Sequence, residues 1–77
     1  MPFRMIDGYK FGFFSLDMNE QPHVHVLRAE KHAKIWLQPV DMEYNHGYNN
    51  RELNRVVDLT RRHQAELLEM WHEHFGQ

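Results

Sequence analysis

The chain has 77 residues, no cysteine and a formal net charge of −2. A length near the lower limit for a self-sufficient core predicts one small domain that is completed by a homodimer or a protein partner. The missing cysteines exclude disulfides and Cys-based zinc sites, and the acidic balance argues against a dedicated nucleic-acid binder. We expect no membrane contact and a cytoplasmic location, because the chain has neither a signal-peptide pattern nor a long apolar run.

The first third of the chain reads as extended structure. The segment Phe3–Ile6 is predicted as a short strand or arm that ends at the turn dipeptide Asp7-Gly8. Residues 9–15 are rich in aromatic side chains and predict a strand, whose alternation places Tyr9, Phe11 and Phe13 on one face. Residues 16–21 predict a loop.

Two further strands are predicted at 23–27 and 33–37, joined by a loop of about four residues after Arg28. Alternate side chains of a strand point to opposite faces of a sheet. The apolar face would carry Val24, Val26, Ala33, Ile35 and Leu37. The opposite face would carry His23, His25, Lys34 and Trp36.

The second half of the chain predicts a connector at 39–49, with one helical turn over 41–44, and then a long helix. Asn49 is placed as the N-cap, with Glu52 three residues later. An apolar stripe continues from Leu53 to Phe75 without Gly or Pro, which predicts one helix over residues 50–75. At 1.5 Å per residue this helix would overhang the sheet and expose Trp71 and Phe75.

Together these patterns predict a single α+β domain over residues 1–77. An antiparallel sheet of about three strands (residues 3–38) would be covered by the one long helix. The N-terminal arm is a candidate fourth strand.

Five blocks of sequence resemble a known family. They are Pro-His-Val-His-Val at 22–26, Ala-Lys-Ile-Trp-Leu at 33–37, Gly-Tyr at 47–48, Arg-Glu-Leu at 51–53, and Leu-Leu-Glu-Met-Trp-His-Glu-His-Phe-Gly at 67–76. They resemble a bacterial family of small domains of unknown function, with a Pro-Pro-His-x-His-Val signature and a closing Trp-His-Glu-Tyr-Phe-like block. The chain departs from that pattern at Gln21, at His74 and in the turn after Arg28, which lacks Gly.

The resemblance implies one half of a toxin–antitoxin-like two-gene pair, and it supports the leading hypothesis of a non-enzymatic interaction module. The contact surfaces would be the open sheet face, with His23, His25, Lys34 and Trp36, and the helix end, with Trp71 and Phe75.

A second hypothesis is a small, metal-independent ribonuclease. His23 or His25 would act as general acid or base beside Lys34. RNA phosphate would be held by Arg28 or by the helix arginines Arg51, Arg55 and Arg62.

A third hypothesis is a metal-binding regulator, because two histidines at i and i+2 on a strand point the same way. The third ligand would be His32, His46 or Asp17. Since the sequence does not single out a third ligand, we predict no cofactor, and any metal would lie at His23 and His25.

The order of the charges along the predicted helix bears on what this helix binds. Basic residues lie in the first half of the predicted helix and acidic residues in the second, which opposes the helix macrodipole. An antiparallel helix pair across a two-fold axis would explain this pattern, as would an anion bound by the arginines. The third explanation is an ordinary surface with Arg55–Asp58 and Arg62–Glu66 ion pairs.

Overall fold

A computed structural model describes residues 3–14, 17 and 19–76. Within these residues, five antiparallel strands pair in sequence order to form one sheet, and two helices follow. The strands are β1 Phe3–Ile6, β2 Tyr9–Gly12, β3 His23–Arg28, β4 Lys31–Leu37 and β5 Val40–His46. The helices are α1 Asn50–Arg62 and α2 Gln64–Phe75. The predicted α+β class is confirmed, whereas the prediction of three strands and one helix is wrong.

The hairpin turns are tighter than the sequence indicated. Asp7 and Gly8 have φ angles of 53° and 84°, as a two-residue hairpin turn requires, and the N-terminal arm is confirmed as strand β1. Between β3 and β4 the predicted four-residue loop is wrong, since Arg28 pairs with Lys31 and only two residues form the turn. One of these two residues, Ala29, has a φ of 55°, in the region that favours glycine.

Strand β5 replaces the predicted connector and its helical turn. Its side chains alternate, with Val40, Met42 and Tyr44 partly buried and the acidic positions between them exposed. Pro39 lies in the turn that joins β4 to β5, outside the hydrogen-bonded ladder, so its missing N–H costs no strand pairing. A proline is unfavourable within a central strand but fits a turn, so Pro39 is compatible with a further strand and the predicted connector is wrong.

The predicted apolar face forms the core. Its strand positions Val24, Val26, Ala33, Ile35 and Leu37 are all 0% exposed. Helices α1 and α2 contribute Val56, Leu59, Leu67 and Trp71 to the same core. Tyr9, Phe11 and Phe13, which the alternation placed on one face, are also buried.

The helical segment breaks at His63, which has φ −106° and ψ 16°. Asn49 is confirmed as the N-cap of α1, because its side chain accepts a hydrogen bond from the Glu52 N–H at 2.9 Å. Thr60 bonds back to the Val56 carbonyl at 2.7 Å, an interaction that bends helices. Just after the break, Gln64 Nε2 donates to the Leu37 carbonyl at 2.6 Å and ties the start of α2 to the end of β4.

The break changes the surroundings of the helix end. Trp71 is 1% exposed, and its ring lies 5.2 Å from Phe13 and 4.3 Å from Phe75, which is itself half-buried. The predicted overhang is therefore wrong, because α2 continues along the domain and covers its core instead of projecting from it.

The break also accounts for some of the helix charges. Arg61 and Arg62 lie in the last turn of α1, and Glu66 lies in the first turn of α2. At these ends, basic and acidic side chains respectively interact favourably with the helix macrodipole. The break thus accounts for Arg61, Arg62 and Glu66, whereas Arg51 at the start of α1 and Glu73 near the end of α2 still oppose the macrodipole. The predicted pairs are corrected as well: Arg55 binds Asp7 and Arg62 binds Asp58. Glu66 binds Arg4.

Within the described residues, neither helix has the length and apolar character needed to cross a membrane.

The positive φ of Ala29 generates a prediction about stability. We expect Ala29→Gly to raise the free energy of unfolding by about 0.5–1 kcal/mol, because glycine removes the Cβ strain of the turn. Chemical denaturation measures the change. The matched control is Ala65→Gly, an exposed position inside α2, which should lower the free energy of unfolding by about 1 kcal/mol. A destabilised Ala29→Gly variant would contradict this description of the turn.

Candidate metal centre

The face of the sheet opposite the core carries the two histidines, as predicted. His23 and His25 pair with Trp36 and Lys34 of β4, and they alternate with the core-facing valines. The face is not open, however, since His23 is 0% and His25 is 5% exposed. Phe14 packs edge-on against the His25 ring at 4.6 Å, and Trp71 approaches the His23 ring at 5.0 Å. Both histidines are therefore interior residues.

The segment between β2 and β3 brings a carboxylate to these rings. The Phe14 N–H donates to Asp17 Oδ2 at 2.7 Å, and the Asp17 N–H donates to the Phe14 carbonyl at 3.0 Å. The end of the segment is fixed by the Leu37 N–H, which donates to the Pro22 carbonyl at 3.0 Å. These bonds aim the Asp17 side chain at the histidines, and Asp17 is only 7% exposed.

Asp17, His23 and His25 form a compact three-residue cluster. His23 Nε2 lies 3.2 Å from Asp17 Oδ1, and His25 Nε2 lies 3.1 Å from Asp17 Oδ2. One possible ligand atom from each residue lies within 4.8 Å of the others. Around a tetrahedral Zn²⁺ with ligands at 2.0–2.1 Å, neighbouring ligand atoms are separated by about 3.3 Å. The two imidazole–carboxylate distances, each to a different oxygen of Asp17, are close to this value.

The His23 ring is oriented by a backbone carbonyl. His23 Nδ1 lies 2.9 Å from the Gln21 carbonyl oxygen, which can only accept a hydrogen bond, so Nδ1 carries the proton. In the neutral ring, Nε2 then presents a lone pair to the Asp17 carboxylate, and this buried nitrogen makes no hydrogen bond. Two electron-rich atoms that face each other in the interior create a place for a cation. Metal-binding histidines typically donate their second nitrogen to a carbonyl in this way.

The electrostatics of Asp17 and His25 favour the protonation states in which these two residues bind metals. Burial lowers the pKa of His25 to about 4, with His23 and His32 acting in the same direction and Asp17 opposing. Burial would raise the pKa of Asp17, but the Phe14 N–H and the two imidazoles outweigh it and hold that pKa below its ordinary value. A neutral imidazole and an ionised carboxylate are the forms that bind metals.

The proposed third ligands are separated by the fold. Asp17 contacts the two histidines directly. His32 contacts the other ring nitrogen of His25, with its Nε2 2.8 Å from His25 Nδ1. His46 pairs with His32 across β4 and β5 and is exposed. The sequence did not single out Asp17, because a loop residue is aimed by contacts that have no local pattern. It also missed Phe14 and Gln21, which orient the cluster.

The cations of the ribonuclease hypothesis have other partners. Lys34 lies beside His25 in the sheet, but its Nζ donates to Glu20 Oε1 at 2.5 Å and lies 4.8 Å from the centre of the Trp36 ring. Arg28 lies over the Tyr9 ring at 5.0 Å. The helix arginines Arg51, Arg55 and Arg62 are exposed on α1. Of these cations, Lys34 is the one that the sheet register places beside a histidine, and it is paired with Glu20. The ribonuclease hypothesis stays a prediction.

Comparison with known proteins gives a family. A family model described as Domain of unknown function (DUF4160) matches residues 8–72. No curated protein and no solved structure matches the chain. The resemblance to a family of small domains of unknown function is thereby confirmed, whereas its signature motifs and two-gene context stay predictions.

The lowered pKa of His25 predicts how the metal-free protein responds to acid. Between pH 6.5 and about 4 the unfolded chain protonates His25 and the folded chain does not. The free energy of unfolding should therefore be greatest above pH 6.5 and fall as the pH is lowered to about 4, by on the order of 3 kcal/mol. Urea denaturation with a chelator present, at a series of pH values, measures this loss.

The control variants separate His25 from the other histidines. His25→Gln should flatten the pH dependence in this window. His74→Gln, at an exposed position of α2, should keep the wild-type curve. Identical curves for the wild type and His25→Gln would contradict the assignment of this acid sensitivity to His25.

Proposed function

The chain belongs to the DUF4160 family, and we propose from its own side chains that it is a metal-binding domain. Asp17, His23 and His25 would hold one divalent transition metal. The observation that carries this proposal is the cluster itself: three buried ligand groups lie within 4.8 Å, and the unpaired His23 Nε2 is directed at the carboxylate.

The donor set indicates the kind of metal. Two imidazoles and one carboxylate suit Zn²⁺ and the neighbouring transition metals, whereas Mg²⁺ and Ca²⁺ prefer oxygen ligands. Zn²⁺ is the first candidate, because it takes four tetrahedral ligands and three protein ligands leave one position for water or a partner group. A bound ion would supply positive charge between the carboxylate and the imidazole lone pairs.

The position of the cluster suggests what the metal would do. Asp17 belongs to the segment between β2 and β3, and both histidines belong to β3. An ion bound to all three would fasten this segment to the second face of the sheet. A domain of 77 residues without cysteine gains most from such a cross-link, because its core alone supplies little stability. The domain would thereby act as a regulator whose folded population depends on metal.

Zinc titration tests the proposal. Zn²⁺ should bind untagged protein at a 1:1 ratio by isothermal titration calorimetry. At a free concentration of 100 times its Kd it should add about 2.7 kcal/mol of stability. For a domain of this size that raises Tm by about 10 °C or more. Asp17→Asn and His23→Gln should remove both binding and stabilisation.

Matched controls come from α2. His72 and His74 are exposed histidines, so His72→Gln and His74→Gln should retain the wild-type affinity. No stabilisation of the wild type by Zn²⁺, Co²⁺ or Ni²⁺ would contradict the proposal. Equal stabilisation of Asp17→Asn and His23→Gln would contradict it as well.

A second candidate function is the protein-interaction module of a cytoplasmic two-gene pair. It is favoured by a surface groove beside half-buried Trp36, which Gln21, Gln38, Pro39 and Asp41 line with it. Since His23, His25 and Trp71 are buried, a contact surface on this side would depend on Trp36 and on the groove.

This second candidate predicts that Trp36→Ala abolishes binding of the protein encoded by the adjacent gene, because the substitution removes the aromatic wall of the groove. Calorimetry with the purified partner measures the affinity, and far-UV circular dichroism checks that the fold persists. Arg51→Ala, on the exposed face of α1, is the control. Unchanged affinity of the Trp36→Ala variant would overturn this use of the groove.

A further inference from the structure

A second layer of side chains lies behind the Asp17, His23 and His25 cluster. His25 Nδ1 lies 2.8 Å from His32 Nε2, on strand β4. The Tyr44 ring, on strand β5, packs edge-on against the His32 ring with a centroid distance of 5.3 Å and an interplanar angle of 83°. Tyr44 Oη is also 3.4 Å from His32 Nε2. The His32 ring is thus held in place from two directions.

The position of the proton on each ring distinguishes two states of the His25–His32 pair. Without metal, His25 Nε2 faces the Asp17 carboxylate at 3.1 Å, and a carboxylate accepts hydrogen bonds, so Nε2 carries the proton. In the neutral ring, His25 Nδ1 then accepts a hydrogen bond. His32 must therefore donate it from Nε2–H.

A metal at His25 Nε2 requires the opposite arrangement. The ligating nitrogen gives its lone pair to the ion, so the single proton of the neutral ring moves to Nδ1. At 2.8 Å from His32, this Nδ1–H needs an acceptor, and His32 supplies one only if its own proton moves from Nε2 to Nδ1. Each ring keeps one proton throughout, and both rings change tautomer together.

From this geometry we infer that His32 is a positioning residue for the metal centre. Its Nε2 accepts the His25 Nδ1–H in the metal-bound state, and this bond selects His25 Nε2 as the ligand atom and fixes the plane of the ring. The inference rests on the proposed metal site and adds to it the residue that prepares His25 for binding. Outer-shell hydrogen bonds of this kind typically contribute 10- to 100-fold to metal affinity.

The inference is tested by Zn²⁺ affinity in His32 variants. His32→Phe keeps a ring on the strand but removes the acceptor, and it should weaken Zn²⁺ binding by about 10- to 100-fold. His32→Gln offers an amide oxygen to the same N–H and should recover most of the affinity. The control is His46→Phe, the same change at the cross-strand partner of His32, which should bind Zn²⁺ as the wild type does.

A spectroscopic readout separates positioning from packing. Long-range ¹H–¹⁵N correlation spectra of the histidine rings report which nitrogen carries the proton. On addition of Zn²⁺ to the wild type, both His25 and His32 should change from the Nε2–H to the Nδ1–H tautomer. A role in packing alone would leave the tautomer of His32 unchanged.

The possible outcomes are distinguishable. If His32→Phe binds Zn²⁺ like the wild type while His23→Gln does not, the role of His32 is overturned and the metal site stands. An unchanged His32 tautomer on zinc binding would also overturn the inference. If the wild type does not bind Zn²⁺, the metal site and the role of His32 are both refuted.

Discussion

The second face of the sheet is organised by one carboxylate that lies between two buried imidazoles. Asp17 contacts His23 and His25 at 3.2 and 3.1 Å, in surroundings where all three are at most 7% exposed. Burying three polar side chains is costly unless their hydrogen-bonding and charge requirements are met. Asp17 accepts hydrogen bonds from the Phe14 N–H and from His25, but His23 Nε2 has no hydrogen-bond partner, so the requirement is incompletely met. A cation at the centre would meet it.

The two faces of the sheet have different roles. The helices and the valine face of β3 form an apolar core, whereas on the histidine face Phe14 and Asp17 contact His25 and Trp71 contacts His23. Because adjacent residues of β3 point to opposite faces, one short strand serves both the core and the candidate metal centre. A substitution in this strand would therefore affect both stability and the proposed metal binding, and the controls on α2 and β5 separate the two effects.

Much of this arrangement follows from local patterns. Period-2 alternation was sufficient to assign Val24 and His25 to opposite faces, and the turn at Asp7-Gly8 and the N-cap at Asn49 follow from their side chains. Strand β5 alternates just as clearly, but a preceding proline such as Pro39 is equally typical of the end of a sheet and of a turn between two strands. The apolar stripe of the helical segment has a polar gap at Gln64, next to the break at His63, but one polar residue does not by itself predict that a helix ends. The position of Asp17 had no such signal, because contacts across the fold aim it.

The central claim is most directly tested by X-ray absorption spectroscopy at the zinc edge of the 1:1 complex. The account predicts four nitrogen and oxygen neighbours at about 2.0–2.1 Å, with outer-shell scattering from two imidazoles. The spectrum of His23→Gln should lose one imidazole, if the ion is retained at all. Six oxygen neighbours without imidazole scattering in the wild type would show that zinc binds elsewhere on the surface, and the buried cluster would then not be a metal centre.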